Sequence, residues 1–140
     1  MSKIAVIYWS GTGNTAAMAS AIAAGMGEGT ELYSVDQFTG DIADYDKIAF
    51  GCSAMGDEVL EEAEFDPFFT SIEGKLGGKK VALFGSYGWG DGQWMREWAE
   101  RVTGEGATVV NGEGLICQET PDDAMIEECK NLGKALAANA

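Results

Sequence analysis

The feature that most restricts the fold is an alternation between two periodicities. Short apolar runs recur at Ile4–Trp9 (IAVIYW), Thr30–Val35, Lys47–Gly51 and Lys80–Gly85, with Thr108–Val110 and Leu115–Ile116 as a fifth in two pieces. Runs of that length without strict alternation are the pattern of strands buried on both faces. Between them, apolar residues return at helical spacing. Thr15 to about Met26 is rich in Ala and Met, and Gly25 or Gly27 is placed to end a helix there. Phe65, Phe68, Phe69, Ile72 and Leu76 mark a second helix, and Trp94, Met95, Trp98 and Val102 a third. Met125, Cys129, Leu132 and Leu136 mark the last, with Pro121 expected at its first position. This order predicts an α/β protein, a parallel sheet between two helical layers in a three-layer αβα sandwich. With no internal repeat or linker, the 140 residues read as one domain, 1–140.

Composition removes several function classes. The formal net charge is −14, from 23 acidic and 9 basic residues, so the basic stripe that nucleic-acid binding needs is missing. The acidity suits docking to basic protein surfaces. The chain has no histidine, which removes Ser-His and Cys-His nucleophilic systems and the usual zinc ligand sets. Cys52, Cys117 and Cys129 form no CxxC pair and read as small buried apolar residues rather than a disulfide framework. No stretch approaches the ~20 apolar residues of a membrane span, and no signal peptide is expected. The expectation is a cytoplasmic protein.

In such folds, ligands bind at the carboxyl ends of the strands, beside the switch in strand order. Three loops there have unusual compositions. The first, Ser10-Gly11-Thr12-Gly13-Asn14-Thr15, precedes the first helix, and no Lys or Arg occurs from Ile4 to Asp46. Backbone N–H groups at a helix start form an anion nest, and the Ser, Thr and Asn side chains add donors. The spacing is not GxxxxGK[ST], so a triphosphate loop is disfavoured. Gly11, Gly13 and Ala16 match GxGxx[GA], with Asp36 downstream, which leaves a dinucleotide open at this point. Hydroxyls crowded around one point better suit a terminal phosphomonoester.

The second loop is Cys52-Ser53-Ala54-Met55-Gly56-Asp57-Glu58. A methionine inside a polar turn is placed to lie against something flat. The acids that follow, Glu61, Glu62, Glu64 and Asp66, read as a solvated face. The third loop is Gly85-Ser86-Tyr87-Gly88-Trp89-Gly90-Asp91-Gly92. Its glycines allow backbone amides to approach a ligand, while Trp89 offers a stacking surface. Together the loops describe a site for a flat heteroaromatic carrying one phosphate.

SGTGNT, SAMGDEVLEE and GSYGWGDG, in that order, resemble the flavin-binding loops of short-chain bacterial flavodoxins, and the resemblance covers essentially the whole chain. It implies one non-covalently bound FMN and a five-stranded parallel sheet in the order 2-1-3-4-5. By that resemblance, Ser10, Thr12, Asn14 and Thr15, with their backbone amides and Ser53, hold the phosphate, and Gly11 and Gly13 of the same loop belong to the cofactor-binding set. Met55 and Trp89 cover the two ring faces, Glu58 accepts from the flavin N3–H, and amides near Gly88 and Trp89 meet its O2 edge. Ala54, Gly56, Asp57, Ser86 and Tyr87 complete the cofactor-binding set.

The implied function is low-potential one-electron transfer on the semiquinone/hydroquinone couple, shuttling between basic redox partners as a monomer, with no substrate turnover of its own. The Gly56–Asp57 peptide is expected to turn its carbonyl to flavin N5 on reduction, since Gly lacks the Cβ that would oppose the change. One negative charge ~8 Å from the ring, at an effective dielectric of ~20, would oppose a further electron by about 2 kcal/mol, or roughly 90 mV. The alternative on the same fold is a small FMN-dependent NAD(P)H or quinone oxidoreductase. Only Arg96 and Arg101 are available to it, which leaves little to grip an NADPH phosphate. A response-regulator domain is excluded because Gly51-Cys52-Ser53 stands where its aspartate would end the third strand. A low-molecular-weight phosphatase lacks its Cys-x5-Arg loop.

Overall fold

The computed structural model describes residues 3–11, 13–54, 60–88, 92–112 and 114–138. The elements are β1 (Lys3–Trp9), α1 (Asn14–Met26), β2 (Glu31–Ser34), β3 (Tyr45–Cys52), α2 (Phe65–Ile72), β4 (Lys80–Tyr87), α3 (Gln93–Gly104), β5 (Thr108–Val109), β6 (Leu115–Gln118) and α4 (Asp123–Ala138). All strand pairings are parallel, in the order β2-β1-β3-β4-β5, with β6 also on β4. β5 pairs with the start of β4 (Lys80↔Thr108) and β6 with its end (Phe84↔Leu115), so these two are one row interrupted by a turn. The order 2-1-3-4-5 is the one the family resemblance implies, and the divided fifth strand is as expected from the apolar pattern.

The interruption has a side-chain solution. Asn111 Nδ2 donates to the Leu83 carbonyl at 2.8 Å, and its Oδ1 accepts the Leu83 N–H at 3.3 Å. The carboxamide takes the place of a strand peptide, so a central strand keeps its hydrogen bonds where its neighbour turns away.

Alternation along each strand sends residues to two cores. Ala5, Ile7, Ile48, Phe50, Val81 and Leu83 face α2 and α3, where Phe65, Phe69, Trp94 and Trp98 pack. Val6, Ala49, Ala82 and Phe84 face α1 and α4, where Met18, Ile22, Cys129, Leu132 and Leu136 pack. All three cysteines are buried and unpaired. The two helices of the second layer approach very closely: a Cβ on Gly25 would run into the Lys130 carbonyl, and one on Gly133 into the Ile22 carbonyl.

The start of α4 differs from expectation. Pro121 lies two residues ahead of the helix, and Asp122 caps it, its Oδ1 accepting the Met125 N–H at 2.8 Å. An aspartate satisfies one of the orphan amides of a first turn, which the proline cannot do. Among the described residues, no helix is long and apolar enough to cross a membrane.

Candidate functional site

The sheet register brings Trp9, Cys52, Tyr87 and Gln118 to one edge, because Trp9 pairs with Cys52 and Tyr87 with Gln118 at the carboxyl ends of their strands. The loop after β1 turns into α1 through Gly13, whose φ of 93° is the left-handed conformation that favours glycine. Ser10 Oγ accepts the Gly13 N–H at 3.0 Å and closes the turn. The first-turn amides of α1 have no intrahelical acceptor, and the helix dipole makes them an anion site.

Thr15 ties this loop to the other two. It is fully buried, and its Oγ1 lies 2.8 Å from Ser53 Oγ and 3.1 Å from Ser86 Oγ while accepting the Ser86 N–H at 3.2 Å. Ala54 N–H donates to the Ser86 carbonyl at 3.0 Å. Three loops from three strands therefore meet at one hydroxyl.

Above it lies a cleft of about 400 Å³ lined by Trp9, Gly11, Asn14, Ser53, Ala54, Ser86, Tyr87, Gly88 and Glu119. That volume is within the ~300–1,000 Å³ of small-molecule sites. Seven of these nine are residues expected from the sequence. Ser10 and Gly13 line a smaller recess on the β2 side, together with Ser34, Asp36 and Glu64. Thr12, Met55, Gly56, Asp57, Glu58 and Trp89 lie outside the described residues.

Trp9 and Glu119 are lining residues that sequence reasoning missed. Trp9 ends β1 directly before the anion loop, and its Nε1 donates to Glu64 Oε1 at 3.3 Å. Its position as the last residue of an apolar run disguised it as core. Glu119 follows β6 at the same sheet edge, a place the strand-end rule covers.

Glu61 also departs from expectation. It is buried rather than solvated, 7% exposed, and accepts the N–H groups of Ala63, Glu64 and Phe65 at 2.7–2.9 Å. Burial pushes its carboxyl up, but the amides of Phe65, Glu64 and Ala63 outweigh it and hold the pKa below the usual carboxylate range. It is the acceptor that the start of α2 needs. Beneath the second loop, burial raises the Cys52 thiol to about 12, so it stays protonated and unreactive at neutral pH.

The chemistry of the donor set can be tested against FMN. Hydroxyls, a carboxamide and helix-start amides suit one phosphate, and no cation is among the described residues lining the cleft. Trp9, Ala54 and Tyr87 supply apolar walls for a flat ring. Among the described residues nothing lies within 4 Å of a Cβ placed on Gly88, which leaves room beside its backbone for a ligand. The residues fit.

A doubly wound parallel sheet with an anion nest and an aromatic cleft at its carboxyl edge defines the class of the molecule as a mononucleotide-binding α/β protein. The sequence profile described as Flavodoxin matches residues 6–133. The chain is 51% identical over 136 residues to the flavodoxin of Clostridium beijerinckii, covering 94% of this chain and 97% of that one. It is 49% identical over 138 residues to the flavodoxin of Megasphaera elsdenii, covering 96% and 98%. The solution structure of two-electron reduced Megasphaera elsdenii flavodoxin superposes with a TM-score of 0.84 at 45% identity, covering 97% of this chain and 99% of that one. The chain belongs to the flavodoxin family. It is an FMN-binding electron carrier without substrate turnover of its own, and the oxidoreductase alternative is not favoured.

Proposed function

We propose that this flavodoxin is a low-potential one-electron carrier whose cofactor site is built around the buried Thr15 hydroxyl. The observation that supports it is the meeting of the three loops at that hydroxyl, beside a cleft whose described lining holds no cation. Bound FMN supplies the one-electron chemistry. The amides opening α1, with Asn14, Ser10 and Ser53, hold the phosphate without cancelling its charge. Trp9, Ala54 and Tyr87 shelter the ring system from water, and the Gly88 N–H meets its polar edge while the Gly88 carbonyl accepts from Gln118 Nε2 at 3.4 Å. Met55, Trp89, Glu58 and the Gly56–Asp57 peptide keep the roles that the family resemblance implies.

An unneutralised phosphate and nearby carboxylates oppose each added negative charge, so the second electron enters at low potential. The acidic surface, from a net charge of −14, steers the protein to basic faces of its redox partners. We further propose that residues 1–140 act as a single domain, a monomer in the cytoplasm.

Anaerobic potentiometric titration tests the reading. The second one-electron midpoint of the FMN-loaded protein is expected to lie on the order of 100 mV below that of free FMN. A midpoint at or above the free value would overturn it.

A further inference from the structure

Resting on the FMN reading above, we infer that Glu64 and Trp9 are positioning residues for the phosphate nest. The Glu64 carboxylate fixes the Trp9 indole, and the indole sets where the Gly11 turn stands.

Trp9 is the only residue shared by the described linings of the cleft and of the recess on the β2 side, which is about 270 Å³. Its indole is therefore the wall between them. Gly11 lies against that wall. A Cβ on Gly11 would come within 3.0 Å of Trp9 Cη2 and 3.4 Å of Cζ3, inside the ~3.5–4.0 Å at which carbon atoms pack. Gly11 is not among the glycines with positive φ, so the ring, and not the backbone angle, is what favours a glycine there.

The ring is not free to move aside, because its other end is held. Trp9 Nε1 donates to Glu64 Oε1 at 3.3 Å, across 55 positions of sequence. Glu64 is exposed, but it stands at the opening of α2 on a fixed backbone. Its N–H donates to the buried Glu61 carboxylate at 2.7 Å, and its carbonyl accepts the Phe68 N–H at 3.2 Å. The start of α2 is thus tied through one indole to the loop that opens α1.

An indole N–H can only donate, so the ring's orientation needs an acceptor at position 64 and not a charge. Without that acceptor the indole turns, the Gly11 turn loses its support, and the helix-start amides lose their aim at the phosphate. Hydrogen bonds weaken steeply with misalignment. A flavin that carries no phosphate does not feel the loss.

The test titrates apoprotein with FMN and with riboflavin, which lacks the phosphate. The ratio of the two dissociation constants reads what the phosphate contributes. Glu64→Gln and Glu64→Ala both remove the charge, and only the glutamine keeps an acceptor for the indole. The phosphate contribution should be roughly threefold to fivefold smaller in Glu64→Ala than in Glu64→Gln, the worth of one hydrogen bond. In a Trp9→Phe background, where the donor is gone, the two variants should give the same ratio. Equal ratios for the two variants with Trp9 present, or a difference that persists in Trp9→Phe, overturn the inference. Wild-type protein that binds no FMN would instead overturn the reading on which it rests.

Discussion

A hydroxyl group donates one hydrogen bond and accepts two, and Thr15 Oγ1 has three partners within 3.2 Å, Ser53 Oγ, Ser86 Oγ and the Ser86 N–H. The residue expected to bind phosphate through its hydroxyl has that hydroxyl occupied in joining loops, while its backbone amide remains at the helix start. Thr15→Val keeps the shape and leaves buried polar groups without their partner. It should lower unfolding free energy by about 1–3 kcal/mol in a urea titration. Thr15→Ser, which restores the oxygen, should recover most of that loss. Equal stability of the valine variant and wild type would show the joint to be dispensable.

Helix packing decides a different contest. Gly133 lies inside α4, where alanine is the better helix former by up to ~1 kcal/mol. A Cβ there would strike the Ile22 carbonyl of α1, a backbone atom that cannot rotate away. Overpacking of this kind costs typically ~1–3 kcal/mol, so the clash should win. Gly133→Ala is expected to lower the urea midpoint. Gly104→Ala, at the end of α3 where a Cβ meets nothing within 4 Å, should leave it level or slightly higher. The two glycines look alike in a propensity table, and only the neighbouring helix separates them.

The whole molecule combines a large net charge with individually stabilised carboxylates. Hydrogen bonds from Tyr33 and Tyr45 hold Glu31 below its usual range, and those from Arg101 do the same for Glu73. Glu61 is held low by three amides against its burial. A carboxylate whose folded pKa is depressed contributes stability that is present above the unfolded pKa of about 4.3. That contribution is lost as pH falls through the lower folded value. In the opposite direction, burial raises Cys52 and Cys129 to about 12. Their contribution is complete below the unfolded thiol pKa of about 8.5 and fades as pH rises toward the folded one. Stability should therefore be greatest between about pH 5 and 8 and decline on both sides. Glu61→Gln should be less stable than wild type at pH 7 and lose less between pH 6 and 3. Urea midpoints across that range give the comparison, and parallel curves would refute the role given to Glu61.

The sequence by itself determined the layers, the parallel sheet and the place of the anion nest. Strand and helix periodicities are local properties of consecutive residues, and helix-start amides bind anions wherever glycines and hydroxyls permit. It also marked Asn14, Ser53 and Gly88, which the structure places on the cleft lining, because polar and glycine-rich loops contrast with the apolar strands before them. What it could not show depends on residues far apart in the chain. Trp9 looked like core until the sheet register placed it at the cleft, and Glu61 looked solvated until α2 required an acceptor. Thr15 became a joint only when residues 38 and 71 positions away came within hydrogen-bond reach. Glu119 came to the cleft only because β6 pairs with the end of β4, a long-range register that leaves no mark on composition. Tertiary structure decided these because a side chain's role follows from what reaches it in space.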